Sequence, residues 1–237
     1  LLFFRATTSL NGYELWVTDG TESGTNIVKD INPGESSGFY GNYGFHYFNG
    51  KFYFGGDNGI TGEELWATDG TENGTYLVKD IRGEDSDGNN YGSRANGFTT
   101  IGDTMYFIAR DVEHGSEPWM TDGTASGTRM LKDIREENPD GNNYGSTYCY
   151  SRNCFFEFAD RLWFQANDGT HGDELWYTDG TEAGTFMFSD INDGSSGSSP
   201  FIHFNVEDYF YFTAYDGDSS RLFMTDGKQM IMVIQLY

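Results

Sequence analysis

Basic residues are scarce in this chain: 14 Lys and Arg stand against 37 Asp and Glu, a formal charge of −23 over 237 residues. That balance excludes nucleic acid and anionic membrane surfaces as natural partners, because both would be repelled. Cations are the natural counterparts, calcium first among them, while the plainest reading of the acids is a solvated surface in a secreted or saline setting. Cysteine is scarcer still, with only Cys149 and Cys154. Without paired ligands nearby, Cys-x4-Cys is a poor zinc signature. The spacing suits a local disulfide closing a small loop, with two buried thiols as the other reading. Long apolar runs are missing, so no transmembrane segment is predicted, and no secretory signal is evident. The chain has no initiating Met and reads as a mature or excised portion of a longer product. A sustained helical period is missing too. Thirty-two glycines and 17% aromatic residues point instead to many short strands joined by tight turns.

What is abundant is repetition. The run Gly62-Glu63-Glu64-Leu65-Trp66-Ala67-Thr68-Asp69-Gly70-Thr71, continued to Gly74-Thr75 and Val78-Lys79-Asp80-Ile81, recurs nearly verbatim. Its tryptophan returns as Trp16, Trp66, Trp119 and Trp176, with Phe223 in a reduced fifth copy, at spacings of 50, 53, 57 and 47 residues. A period near fifty means one supersecondary unit per repeat. The units are approximately 1–31, 44–81, 97–134, 154–191 and 200–237, read together as one domain.

The sequence Glu-Leu-Trp, then Thr-Asp-Gly-Thr, Gly-Thr and Val-Lys-Asp-Ile resembles the repeat of the secreted ELWxxDGT-repeat proteins. The resemblance covers nearly the whole chain. It departs at Pro118, which precedes Trp119 in place of leucine, and in the fifth copy, which keeps little beyond Thr225-Asp226-Gly227. It implies surface or extracellular placement and a β-rich fold, and it supplies no catalytic residue.

Within a unit, runs such as Lys51-Phe52-Tyr53-Phe54 and Arg161-Leu162-Trp163-Phe164 are apolar at consecutive positions, which predicts strands covered on both faces. The preceding Phe45 to Phe48 turns at Asn49-Gly50, the preferred two-residue hairpin pair. A third strand carries Glu-Leu-Trp. A fourth carries Lys29-Asp30, Lys79-Asp80 or Lys132-Asp133, read as a charged solvent edge. The predicted fold is an all-β propeller of about five four-stranded blades, the first lacking its innermost strand. An open β-solenoid is the alternative.

A residue present in every blade is structural before it is chemical. The hairpin aspartates Asp19, Asp69, Asp122, Asp179 and Asp226 read as turn residues, and the same holds for Asp57, Asp111, Asp168 and Asp216, for Glu14, Glu64, Glu117 and Glu174, and for the tryptophans as core anchors. Variation lies elsewhere. Two unit-joining loops share the heptapeptide Asp-Gly-Asn-Asn-Tyr-Gly-Ser, at 87–93 and 140–146. Asp85, Asp87 and Asn89, with Asp140 and Asn142 as a weaker set, space oxygen ligands as a calcium loop begins but lack the closing bidentate Glu. The competing reading is a pair of side-chain-capped turns that anchor Tyr91 and Tyr144. The innermost strands offer a changing column, Tyr47, Thr100, Glu157 and His203, that could line a channel. Asn73-Gly74-Thr75 is the only N-glycosylation sequon.

These features predict a non-catalytic extracellular or cell-surface module with a structural or adhesive role, whose partner is an extracellular protein or glycan, or other copies or domains of a larger surface assembly. A lectin using the joining loops is the alternative. A propeller glycosidase is the third reading, and it would require a second carboxylate beside Glu157.

Overall fold

The computed structural model describes residues 1–41, 44–136, 145–147 and 154–235. These residues form strands and connecting turns, with no helix among them, and hence none long and apolar enough to cross a membrane. The first sheet has three strands, β1 (Leu2–Ala6), β2 (Glu14–Thr18) and β3 (Asn26–Lys29). The second has four: β4 (His46–Phe48), β5 (Lys51–Asp57), β6 (Glu63–Thr68) and β7 (Tyr76–Lys79). The third runs β8 (Asn96–Ile101), β9 (Thr104–Asp111), β10 (Gly115–Thr121) and β11 (Arg129–Met130), and the fourth β12 (Phe156–Phe158), β13 (Arg161–Asn167), β14 (Asp173–Thr178) and β15 (Phe186–Ser189). The fifth is β16 (Phe201–Val206), β17 (Tyr209–Tyr215), β18 (Ser220–Thr225) and β19 (Met230–Gln235). Every sheet is an antiparallel meander whose strands pair in chain order, as short connections favour.

The hairpin chemistry follows the sequence. Asn49 and Gly50 turn between β4 and β5 with φ of 48° and 79°, the left-handed pair that a tight hairpin requires. The fourth sheet makes the corresponding turn at Ala159 and Asp160, with φ of 51° and 57°.

Consecutive apolar residues divide between two cores. Tyr53 packs in the cluster that joins the second sheet to the third, whereas its neighbour Phe54 packs in the cluster that joins the second to the first. Trp163 and Phe164 divide in the same way. Each strand of this kind is therefore buried on both faces, and the sheets pack in series, first against second through fourth against fifth. Trp66, Trp119, Trp176 and Phe223 are buried in these interfaces. Trp16 occupies the same register position in the first sheet but is only partly buried.

The fourth-strand lysines correct the reading of a plain solvent edge. Lys29 Nζ donates to the Thr75 carbonyl at 2.8 Å, Lys79 Nζ to Thr128 at 2.6 Å, and Lys132 Nζ to Thr185 at 3.1 Å. Each lysine thus reaches across to the hairpin of the next sheet. Its charge there finds a carbonyl acceptor.

Candidate functional site

The joining loops are held by the glutamate that precedes Leu-Trp. Glu14, Glu64, Glu117 and Glu174 are fully buried. Glu64 accepts hydrogen bonds from the backbone N–H of Ile81 (3.0 Å), Arg82 (3.2 Å) and Ser93 (2.9 Å). Glu14 takes Ile31, Asn32 and Gly38 in the same way. Glu117 takes Ile134 and the backbone and hydroxyl of Ser146, and Glu174 takes Ile191, Asn192 and the Ser198 hydroxyl. One carboxylate therefore ties the end of its own sheet's last strand to the loop leaving for the next sheet. The loop residue then passes the connection on: the carbonyls of Gly38, Ser93, Ser146 and Ser198 accept from the N–H groups of Asp57, Arg110, Asn167 and Tyr215 on the following sheets. Burial pushes the glutamates up, to about 7 at Glu64 and about 8 at Glu117, against the lowering effect of their donors. Glu14 and Glu174 are raised for the same reason. In the fifth copy Arg221 stands in the glutamate's place and pairs with Asp216.

On the hairpins, Asp19, Asp69, Asp122 and Asp179 each accept the N–H and hydroxyl of the threonine two residues on. Asp226 accepts from the backbone of Lys228 and Gln229. The threonine bonds hold the first four carboxylates below their ordinary range, and the backbone bonds do so for Asp226. The second glycine of the motif is explained by the same contact, since a Cβ on Gly74 would lie 1.9 Å from the Asp69 carboxylate. Between second and third strands, Thr8, Asn58, Asp111, Asp168 and Asp216 cap equivalent turns by accepting backbone N–H groups two or three residues on. Asn58, not Asp57, is thus the counterpart of Asp111. Asp57 instead accepts the Gly59 N–H.

Among the described residues, the predicted site residues lie on different loops and strands. Asp85 accepts the N–H groups of Asp87 (3.0 Å) and Asn89 (2.8 Å), which forms the side-chain-capped turn, while Asp87 and Asn89 are themselves exposed. Among the described residues no group of three His, Cys, Asp or Glu is placed to hold a metal. Tyr91 is not anchored: it is 60% exposed, with the Arg82 guanidinium 5.6 Å from its ring centre. What the shared heptapeptide anchors is its closing Gly-Ser, held by Glu64 in one loop and Glu117 in the other. Asp140, Asn142 and Tyr144 lie outside the described residues, as does Cys149. Cys154 is partly buried, its sulfur 4.0 Å from Asn96 Oδ1. Asn73 is exposed on its hairpin, and the sequon's Thr75 is buried and bonded to Thr68.

The innermost column also needs correction. Tyr47 pairs with Phe52, Thr100 with Met105 and Glu157 with Leu162, and the residue at this register in β16 is Asn205, paired with Phe210. A register shift between Ile202 and Phe204 puts His203 in a bulge, where its Nε2 meets Thr213 Oγ1 at 3.1 Å. Tyr47, Glu157 and His203 are exposed. Adjacent inner strands do touch, since His46 Nε2 lies 2.7 Å from Thr100 Oγ1.

Neither a family model nor a curated protein matches the sequence. Among solved structures, one of two prolyl endopeptidases is similar over 98% of this chain, at 11% identity and a TM-score of 0.51. The chain spans about a third of that protein's length (33%). A TolB homologue from Agrobacterium tumefaciens matches 99% of the chain and 77% of its own length, at 13% identity and a TM-score of 0.41. A Bacteroides ovatus xyloglucan-locus GH43B matches 83% of the chain and 41% of its own, at 13% identity and 0.40. At these identities the first likeness bears on fold alone. Its message is an all-β, β-propeller-like body of antiparallel sheets.

Proposed function

We propose that this chain is a non-catalytic β-propeller module of about five blades, acting outside the cell or at its surface as a structural or adhesive platform for a protein or glycan. The observation that carries this reading is the fate of the acids. The repeated carboxylates at the buried glutamates and the hairpin aspartates accept hydrogen bonds from their own chain, so they build the scaffold. Variable groups lie in the joining loops, where binding residues on rigid scaffolds concentrate. The exposed Tyr91 ring, with Arg82 beside it, favours glycan as the ligand class of the second reading, a lectin. On a glycan array, Tyr91→Ala should lose at least about tenfold in any sugar signal, roughly 1.4 kcal/mol, with an unchanged Tm. A parent chain with no sugar-dependent signal removes the lectin reading and leaves protein partners.

Calcium belongs to the same proposal, through Asp85, Asp87 and Asn89. Calcium should raise Tm beyond sodium at equal ionic strength, because a specific ligand stabilises the native state while screening is general. Asp87→Asn should erase most of that difference. Identical melting curves in the two salts would leave the loop as a capped turn alone.

Secretion makes a separate demand on covalent chemistry. Intact mass should fall on deglycosylation, with the glycan on Asn73 in a eukaryotic source. Alkylation before and after reduction should show Cys149 joined to Cys154. Two thiols that alkylate fully in the native, unreduced protein would remove the cysteine argument for secretion.

A further inference from the structure

The repeat breaks at one joint in a way that the scaffold does not explain. Three positions recur at every joint: the residue after the isoleucine that donates to the buried glutamate, the residue after the loop's Gly or Ser, and the strand residue that donates back to that loop. Between the second and third sheets they are Arg82, Arg94 and Arg110. The N–H groups of Arg82 and Ser93 donate to Glu64 at 3.2 and 2.9 Å, the Arg94 N–H donates to the Glu63 carbonyl at 3.0 Å, and the Arg110 N–H donates to the Ser93 carbonyl at 2.9 Å. The preceding joint has Asn32, Phe39 and Asp57 at these positions, and the following joint has Arg135, Thr147 and Asn167. A chain with only 14 Lys and Arg thus sets three arginines around one joint.

Two of them stand without a counter-ion. Among the described residues no carboxylate oxygen lies within 4.0 Å of the Arg82 or Arg94 guanidinium; the close pairs form at His114, His171 and Arg221 instead. Asp85 borders Arg82, and Glu63 borders Arg94, at longer range. Arg82 Nε is buried and has no hydrogen-bond partner among the described residues, so part of a charged group has left water without gaining an acceptor. Burial lowers the Arg82 pKa, and the charges of Arg110 and Arg94 lower it further, so the three arginines act on one another. Arg94 is exposed, and beside Arg82 the Tyr91 ring is open to solvent.

We propose that this patch binds the carboxylate of an acidic sugar, a hexuronate, with Arg82 and Arg94 taking the anion and Tyr91 stacking on the sugar ring; this rests on the lectin reading and names its ligand class. A guanidinium presents paired N–H groups that match a carboxylate. An exposed aromatic ring takes the apolar face of a pyranose. Arg110 adds charge from β9. The net −23 opposes a long polyanion, but charges farther than about 8 Å are largely screened at physiological salt, so the ligand is a short acidic stretch or a terminal uronate.

The test is isothermal titration in about 0.15 M NaCl with short oligomers of galacturonate and of glucuronate, each beside its methyl ester, which keeps the rings and loses the charge. The acids should bind at least about tenfold more tightly than the esters. Arg94→Gln should remove that preference and leave ester binding unchanged, whereas Tyr91→Ala should weaken acid and ester alike. Arg94 is exposed, so the variant should keep the parent's melting curve. Arg94→Lys, which keeps the charge without the paired donors, replaces it if it does not, and should retain only part of the preference. A capped tripeptide of glutamate offers carboxylates without sugar rings and should not bind. Acids that bind no better than their esters overturn this inference, while a Tyr91-dependent signal from esters or neutral glycans keeps the lectin reading. Glutamate peptide bound as tightly as the uronates overturns it too, since the patch would then read charge alone. Silence from every sugar overturns both.

Discussion

Trp66→Ala is expected to destabilise the fold by about 3–5 kcal/mol, the cost of deleting a large buried side chain together with the cavity it leaves. The indole sits between the first and second sheets, and its N–H has no hydrogen-bond partner among the described residues. The loss is therefore one of packing, and Trp66→Phe should cost less than half as much. The fifth copy already places Phe223, buried, at this position. Trp16→Ala supplies the internal control. The same residue type in the same register is only partly buried, so its removal should cost clearly less than that of Trp66. Urea denaturation of the three variants, with the slope checked for two-state behaviour, reads all three values. A cost under about 1 kcal/mol at Trp66 would mean that the sheets are not held by these wedges.

The parts of this architecture that sequence makes visible are those written in side-chain period. Paired apolar residues such as Tyr53 and Phe54 announce a strand with two buried faces, and Asn49-Gly50 announces its turn, because each property is local. The joints are legible only in part. Glu64 before Leu65 looks like any polar residue at a strand start, and its donors are backbone N–H groups 17, 18 and 29 residues away, which leave no mark in residue type. A clue existed: the glutamate gives way to Arg221 only in the copy that departs most from the repeat. Lys79 looked like a solvent edge because alternation places a charge between apolar neighbours, and its carbonyl acceptor at Thr128 is again backbone. His203 entered the inner column because spacing alone cannot register the bulge that moves Asn205 into it.

Glu117→Ala should cost about 3 kcal/mol or more, because it strands buried N–H groups of Ile134 and Ser146 at once. Glu117→Gln separates hydrogen bonding from charge. The wild-type carboxyl has its pKa pushed by burial from 4.5 to about 8. A folded value above the unfolded one gives stability that is complete below about pH 4.5 and is lost as pH rises through about 8. Glu63 and Glu64, both raised to about 7 by burial, act in the same direction over a slightly lower window. Stability should therefore climb as pH falls from about 8.5 to about 5.5, the reverse of what an ionised, paired carboxylate would give. His114 and His171 complicate the slope without changing its sign. His171 is raised chiefly by its hydrogen bond to Asp168, and His114 is raised by Asp111 against the lowering effect of its burial. Both also favour the fold at lower pH, whereas His46, lowered by its burial, acts against it there. The variant isolates the glutamate: Glu117→Gln should flatten the pH dependence, leaving the slope from Glu63, Glu64 and the histidines, while costing less than Glu117→Ala at pH 8. Below about pH 4 the hairpin aspartates take over with opposite sign, since their lowered values mean stability lost on protonation. Denaturation midpoints across pH 3 to 9 for the parent and both variants decide the matter. A Glu117→Gln profile parallel to the parent's between pH 5.5 and 8.5 would show that Glu117 stays ionised in the fold throughout, held by its N–H donors against the cost of burial.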